Sequence, residues 1–230
     1  MKESELRARV VKEAAGWLGV KENTVRHRAL VDFYNRIEPL PAGYTLKETD
    51  PWCAAFVSVV GAAMHLSDII FPECSCLRMM QKYIKAGCWE ESDAYRPRTG
   101  DVIFYGWTDA GTGDFQGPPD HVGIVQSVDD DMISVIEGNY QDQVKVRRIA
   151  VNARYIRGYG LPDYASKAGP DKLTGFPDVP AGAWYEAAVS RMARAGLVTG
   201  YPDGTFKPLQ AVSRAELAAV LDRLTSEGQD

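Results

Sequence analysis

From Trp52 to Leu66 the chain is apolar on nearly every side: Ala54, Ala55, Phe56, Val57, Val59, Val60, Ala62, Ala63 and Met64 leave no polar face. A helix of that kind has to be covered all round, so it belongs in the middle of a domain. It is too short to span a bilayer, and no run of about 20 apolar residues occurs elsewhere. The cover must therefore come from flanking segments, packed around a buried helix that begins at Cys53.

Upstream, Glu3 to Leu18 reads as an amphipathic helix with Leu6, Val10, Ala14, Trp17 and Leu18 on one face. A looser stretch follows, down to the turn-rich Pro39-Leu40-Pro41-Ala42-Gly43. Beyond a further helix around Leu77 to Ala86, the apolar period changes from helical to alternating. Asp101 to Tyr105, His121 to Val128, Met132 to Asn139, Val144 to Ile149 and Tyr155 to Tyr159 read as strands. Helices first and an antiparallel sheet afterwards indicate an α+β domain. Around Tyr164 the composition turns small and polar, and Ala165-Ser166-Lys167-Ala168-Gly169-Pro170 reads as a linker. A helix over Trp184 to Ala195, closed by Gly196, and a turn at Tyr201-Pro202-Asp203-Gly204 come next. Ser213 and Glu216 form a capping box for a last helix with the apolar stripe Leu217, Val220, Leu221 and Leu224. The expected organisation is a domain over 1–164, a linker over 165–174 and a small all-α helical-hairpin module over 175–230.

Cys53 follows Asp50-Pro51-Trp52 at the mouth of the buried helix, where proline is favourable because its missing N–H is not needed. The positive end of the helix dipole stabilises thiolate there, and such settings lower a thiol from about 8.5 to about 3.5–7.5. Most buried cysteines are nonetheless small core residues, so position alone does not decide. The central hairpin adds weight. If Asp129-Asp130-Asp131 is its connection, Val128 pairs with Met132 and His121 stands opposite Asn139. Glu137 then shares a face with Asn139, diagonal to His121, at the roughly 5 Å and 7–8 Å spacings of opposed and diagonal pairs. A two-residue turn would shift this register and spoil it. Taken singly, His121 is a structural histidine and Glu137-Gly138-Asn139 a polar strand end. All three facing one way beside an activated cysteine point to a cysteine–histidine hydrolase. Of the other histidines, His27 in Arg26-His27-Arg28 reads as part of a solvated face, and His65 as a helix-end residue.

Other chemistries find little support. A formal net charge of -5 offers no basic face for nucleic acid or an anionic membrane. HExxH, G-x-S-x-G and phosphate-cradling glycine loops are absent from the sequence. Cys74, Cys76 and Cys88 crowd into one segment with no histidine nearby and no common finger spacing, so reduced thiols are expected rather than zinc or a disulfide framework. No metal and no cofactor are expected. Met1 to Val20 carries charges every few residues and lacks a signal-peptide core.

Four motifs in order resemble one family. They are Trp52-Cys53-Ala54-Ala55-Phe56-Val57, Arg96-Pro97-Arg98-Thr99-Gly100-Asp101-Val102-Ile103, His121-Val122-Gly123-Ile124-Val125 and Glu137-Gly138-Asn139. They are similar to the CHAP family, cysteine- and histidine-dependent amidohydrolases and peptidases of bacterial and phage cell-wall lysis. The resemblance covers about residues 1–164 and implies a papain-like α+β fold, with helices packed on an antiparallel sheet. Residue by residue it implies Cys53 as nucleophile, His121 as general base, Glu137 as the group orienting the imidazole and Asn139 as an accessory polar group. The implied substrate is an amide bond of bacterial peptidoglycan. Some phage members carry a calcium loop before the cysteine; here Lys47-Glu48-Thr49-Asp50 offers too few oxygen ligands.

The C-terminal runs Phe176-Pro177-Asp178-Val179-Pro180, Trp184-Tyr185, Gly196 to Pro208 and Ser213-Arg214-Ala215-Glu216 resemble a surface-layer homology module. That resemblance implies binding of secondary cell-wall polysaccharide, with Trp184 and Arg214 as contacts; a core tryptophan and a surface cap are the plainer alternatives. Such modules often occur in threes, and one helical hairpin buries little surface alone. It is therefore expected to form a homo-oligomer, a trimer, or to dock on the catalytic domain. With no leader visible, the expected setting is a phage or prophage lysin released from the cytoplasm onto the wall. An NlpC-type thiol peptidase, a non-catalytic surface-display protein and a transferase using an amine in place of water stay open as rivals.

Overall fold

The computed structural model describes residues 2–108, 117–168, 176–180 and 182–226. The chain divides into two compact units, Glu3–Lys167 and Ala168–Asp230.

In the first unit, α1 (Glu3–Ala15) buries Leu6, Val10 and Ala14, with Glu3 and Glu5 in its first turn and Lys12 in its last, as the helix dipole favours. It stops before Trp17 and Leu18, which fall in the following turn. The stretch expected to be loose contains α2 (Val25–Tyr34), whose cap Thr24 accepts the N–H of His27. His27, Leu30, Val31 and Tyr34 point inward at helical spacing. His27 is thus not part of a solvated face: it is fully buried, with its ring 4.9 Å from that of Trp52. Arg26 and Arg28 flank it on the exposed side of the helix and mask the inward row in the sequence. A 3-10 turn at Pro41–Gly43 leads on to α3 (Cys53–Ala63), in which every residue from Cys53 to Gly61 is buried. Next, α4 (Cys76–Lys85), capped by Ser75, buries Cys76, Met79, Met80 and Tyr83.

Among the described residues six antiparallel strands follow, β1 (Trp89–Glu90), β2 (Val102–Tyr105), β3 (His121–Asp129), β4 (Met132–Glu137), β5 (Lys145–Ala150) and β6 (Ile156–Gly160), in the spatial order β1-β6-β2-β3-β4-β5. Two residues are too few to show an alternating pattern, which is why β1 was not expected. Val102, Phe104, Val122, Ile124 and Ile136 join the helices in the larger core, while Ile103, Tyr105, Val125, Ile133 and Val135 form a second one. That is the period-2 alternation of a sheet covered on both faces. The fold class is α+β. A short helix, α5 (Tyr164–Lys167), occupies the start of the expected linker, and Tyr164 donates its hydroxyl to the Gly100 carbonyl at 2.8 Å.

Asp101 serves the frame rather than the site. Arg7 of α1 donates to it at 2.8 Å and to the Thr99 carbonyl at 2.9 Å, and the Arg98 N–H meets the same carboxylate at 2.7 Å. The pair fastens α1 to the start of β2 in the interior.

The β3–β4 hairpin departs from expectation twice. Its connection is a two-residue turn, Asp130–Asp131, and Asp129 pairs with Met132. Alone, this slip of one residue would turn every side chain to the other face. A β-bulge between Val125 and Ser127 takes up the extra residue, and beyond it Val125 faces Val135 and Ile124 faces Ile136. Continued towards the strand ends, that register sets His121 level with Asn139, as the three-residue connection would have done.

In the second unit, α6 (Glu186–Arg194) begins two residues after Trp184, and α7 (Arg214–Ser226) follows the turn. The capping box is formed: the Ser213 N–H reaches the Glu216 carboxylate at 2.7 Å, and the Glu216 N–H reaches Ser213 Oγ at 3.2 Å. Asp178 accepts the N–H groups of Phe206 and Lys207 at 2.8 and 2.6 Å, tying the start of the unit to its turn. Leu217, Leu221 and Leu224 on α7 remain about half exposed. Residues 169–174 of the expected linker lie outside the described residues.

Candidate active site

Cys53 is the first residue of α3, where backbone N–H groups have no partner within the helix. His121 is the first residue of β3. Its Nε2 lies 3.0 Å from Oε2 of Glu137, which leaves Nδ1 as the nitrogen available to the sulfur. Two glycines make this juncture possible. A Cβ on Gly138 would come within 2.4 Å of Phe56 Cβ, so β4 runs directly onto the first turn of α3. A Cβ on Gly123 would sit 2.7 Å from Glu137 Cγ, on the path the carboxylate takes towards His121.

Glu137 is fully buried, and both its oxygens also accept Nε of Arg147, at 2.8 and 3.0 Å. The Arg147 guanidinium lies 4.0 Å from the ring centroid of Tyr140 and 4.9 Å from that of Trp107. Trp107 in turn stacks on Tyr105 at 5.0 Å, the rings 10° apart. Beside the histidine opens a cleft of about 300 Å³ lined by Trp107, His121, Asn139, Tyr140, Gln141 and Arg147.

These neighbours set the charges. A hydrogen bond with Cys76, sulfur to sulfur 3.5 Å, lowers the Cys53 thiol most; burial opposes it, and His121 and the Ala54 N–H add to it. The net result is a thiol held well below its ordinary range. Burial pulls His121 down, but Cys53 and Glu137 overcome it and bring the imidazolium to about 9. Burial likewise pushes Glu137 up, and His121 and Arg147 return it below the usual carboxylate range. Each shift favours the charged form of its group, so the row Cys53, His121, Glu137 and Arg147 alternates in the sign of the charge its neighbours favour.

Cys53, His121 and Glu137 are therefore brought together, His121 sharing one hydrogen bond with the thiol and another with the carboxylate. Asn139 lies on the cleft rim with φ 55°, and among the described residues no hydrogen bond joins its amide to the imidazole. Arg147 and Cys76 were missed. Arg147 stands outside the motifs and reveals itself only once β5 is laid beside β4, where it pairs with Val135, two residues before Glu137. Cys76 sits in the sequence among Cys74 and Cys88, and nothing local to it signals the contact with Cys53. In the second unit Trp184 is 89% exposed, its ring 5.3 Å from that of Tyr185, and Arg214 is exposed at the start of α7. Neither lines the cavity of about 440 Å³ in that unit, whose walls include Tyr201, Phe206, Lys207, Glu216 and Arg223.

Residues 45–139 match the CHAP domain, a span that takes in Cys53, His121, Glu137 and Asn139, and residues 175–218 match the S-layer homology domain. The chain carries a CHAP domain followed by an S-layer homology domain. Arg147 falls beyond the matched span of the CHAP domain. Among curated proteins, the chain is similar to the outer membrane protein SlpA of Deinococcus radiodurans, 32% identical over 87 residues, which are 38% of this chain and 8% of that protein. It is also similar to the S-layer protein EA1 of Bacillus anthracis, 41% identical over 49 residues, or 21% of this chain and 6% of that one. The chain thus spans less than a tenth of the length of these relatives. A solved structure, that of Ly7917 with the hydrolyzing product of MDP, aligns with a TM-score of 0.34 and 18% identity over 60% of this chain and 63% of that one. No helix among the described residues is long and apolar enough to cross a membrane.

Proposed function

We propose that the first unit hydrolyses an amide bond of bacterial peptidoglycan through Cys53, and that the second holds the enzyme at the cell surface by binding wall polysaccharide. The observation that carries the first part is the buried row Cys53, His121 and Glu137, whose histidine lines the cleft, inside the CHAP match. The Cys53 thiolate attacks the amide carbonyl. The N–H of Cys53, at the helix start and so without a partner within the helix, is the donor to the developing oxyanion. Imidazolium His121 gives its Nδ1 proton to the leaving amine, which departs and leaves a thioester. Neutral His121 then takes a proton from water as the water attacks, and the thiolate is expelled. Glu137 fixes the ring through Nε2 and favours its charged form, and Asn139 meets polar groups of the substrate at the cleft rim.

The S-layer homology match supports the second part, with Trp184 and Arg214 as proposed polymer contacts. The exposed Leu217, Leu221 and Leu224 support association of this unit through α7, which sedimentation of the full chain would detect. Cys53→Ala is expected to abolish clearing of purified walls while the protein still pellets with them; turnover near that of the parent would remove Cys53 as nucleophile. Mass spectrometry of the released fragments identifies the bond, an amidase freeing the stem peptide from the glycan and an endopeptidase cutting within the peptide or its crosslink.

A further inference from the structure

The Cys53 mechanism has no need of a second thiol, yet one touches the nucleophile. Cys53 opens α3 and Cys76 opens α4, and the two helix starts converge so that the sulfurs lie 3.5 Å apart in the interior. The contact is held from both sides. Ser58 of α3 accepts the Glu73 N–H at 2.8 Å and lies 2.7 Å from its carbonyl, while the Glu73 carboxylate meets Arg78 and Lys82 of α4 at 3.3 and 3.1 Å. The segment delivering Cys76 is thus fastened to both helices. Of the other thiols, Cys88 lies against the Tyr83 carbonyl at 3.6 Å and Cys74 against the Arg78 guanidinium at 3.8 Å.

We infer that Cys53 and Cys76 form a reversible disulfide, a covalent modification that removes the nucleophile from the site. It forms with a low-molecular-weight disulfide as oxidant. The Cys53 thiolate attacks one sulfur of that molecule, making a mixed disulfide and releasing one thiolate. Cys76 then attacks Cys53 Sγ, its proton passing to the second departing thiolate. Two protein thiols are oxidised by two electrons and the small disulfide is reduced to two thiols. The sulfurs need to approach by only roughly 1.5 Å to reach bonding distance. The order follows from the site: the bond between the two sulfurs lowers Cys53 and raises Cys76, so Cys53 is the thiol that attacks first and Cys76 gives up its proton in the second step. The link itself is independent of the hydrolase reading; only its consequence for turnover rests on that reading.

The test is incubation of the full chain with oxidised glutathione, alkylation of remaining thiols and peptide mapping. A linked Cys53–Cys76 peptide is expected, with the four free thiols falling to two and returning with dithiothreitol. Clearing of purified walls should fall in proportion to the linked fraction and recover on reduction. Cys76→Ala should stop at a glutathionyl adduct on Cys53. A stable adduct on Cys53 of the parent protein, or a Cys74–Cys76 link in place of the expected one, overturns the inference. A reversible Cys53–Cys76 link in a protein inert towards walls in both states upholds the thiol couple and overturns the hydrolase reading.

Discussion

Replacing Glu137 by Gln keeps its shape and removes one charge from the middle of the row. His121 is lifted from an ordinary value near 6.5 to about 9 against burial, and two groups do the lifting, Cys53 and Glu137. Taking one away should cancel about half of the rise, about one pH unit or ~1.4 kcal/mol. A second effect is geometric. Arg147 Nε approaches both carboxylate oxygens, so the single oxygen of a glutamine is drawn to it and the amide N–H₂ turns to His121 Nε2. Neutral imidazole then carries its proton on Nδ1, facing the sulfur, and cannot accept the proton that deacylation must deliver. A fall in kcat of roughly a hundredfold, ~2.7 kcal/mol, is expected from that tautomer. The assay is the rate of clearing of purified walls from about pH 5 to 10, paired with the rate of iodoacetamide alkylation of Cys53. The sign is fixed: an active imidazolium is lost as pH rises through the His121 value, so the alkaline limb should move to lower pH. An alkaline limb left in place, with kcat within a few-fold of the parent, would refute the coupling.

Two further substitutions test the frame. Arg7→Ala strands Asp101 in the interior, where its side chain is 1% exposed, and should cost about 3–5 kcal/mol of stability, read from the urea midpoint. Gly138→Val drives a side chain into Phe56 and Trp52 and should cost about 1–3 kcal/mol. The same change pushes the hairpin off α3, so alkylation of Cys53 should require a higher pH than in the parent.

How far the sequence foretold this site depends on the range of the interactions involved. Cys53 at a helix mouth and the Ser213–Glu216 box are local matters, decided within one turn, and both were legible. The register of His121 and Glu137 was legible for a less secure reason: the turn is one residue shorter than assumed and the bulge between Val125 and Ser127 compensates. No local pattern announces a bulge, because Gln126 is an ordinary strand residue. His27 is hidden in the sequence by its charged immediate neighbours, although Leu30, Val31 and Tyr34 mark the inward row it belongs to. Arg147 and Cys76 depend on which elements become neighbours across the fold, and single-chain periodicity contains no term for that.

The remaining test concerns the outer end of the row. Burial opposes all four charges, raising Cys53 and Glu137 and lowering His121 and Arg147, so each ion persists only through its neighbours. The row ends on neutral groups, the Cys76 thiol on one side and the faces of Tyr140 and Trp107 on the other. Arg147 does not touch the sulfur; it acts as a positioning residue through Glu137. Arg147→Met leaves the carboxylate buried with His121 as its remaining cation, so Glu137 should take up its proton at higher pH than in the parent. A protonated Glu137 no longer holds the ring in its charged form. The acid limb of the rate profile should therefore move to higher pH while the alkaline limb, which follows His121, stays closer to its place. That is the reverse of the pattern expected from Glu137→Gln, and a variant that had merely loosened the fold would lower the rate across the range and move neither limb. If both limbs stay fixed, the carboxylate is held ionised by something other than Arg147.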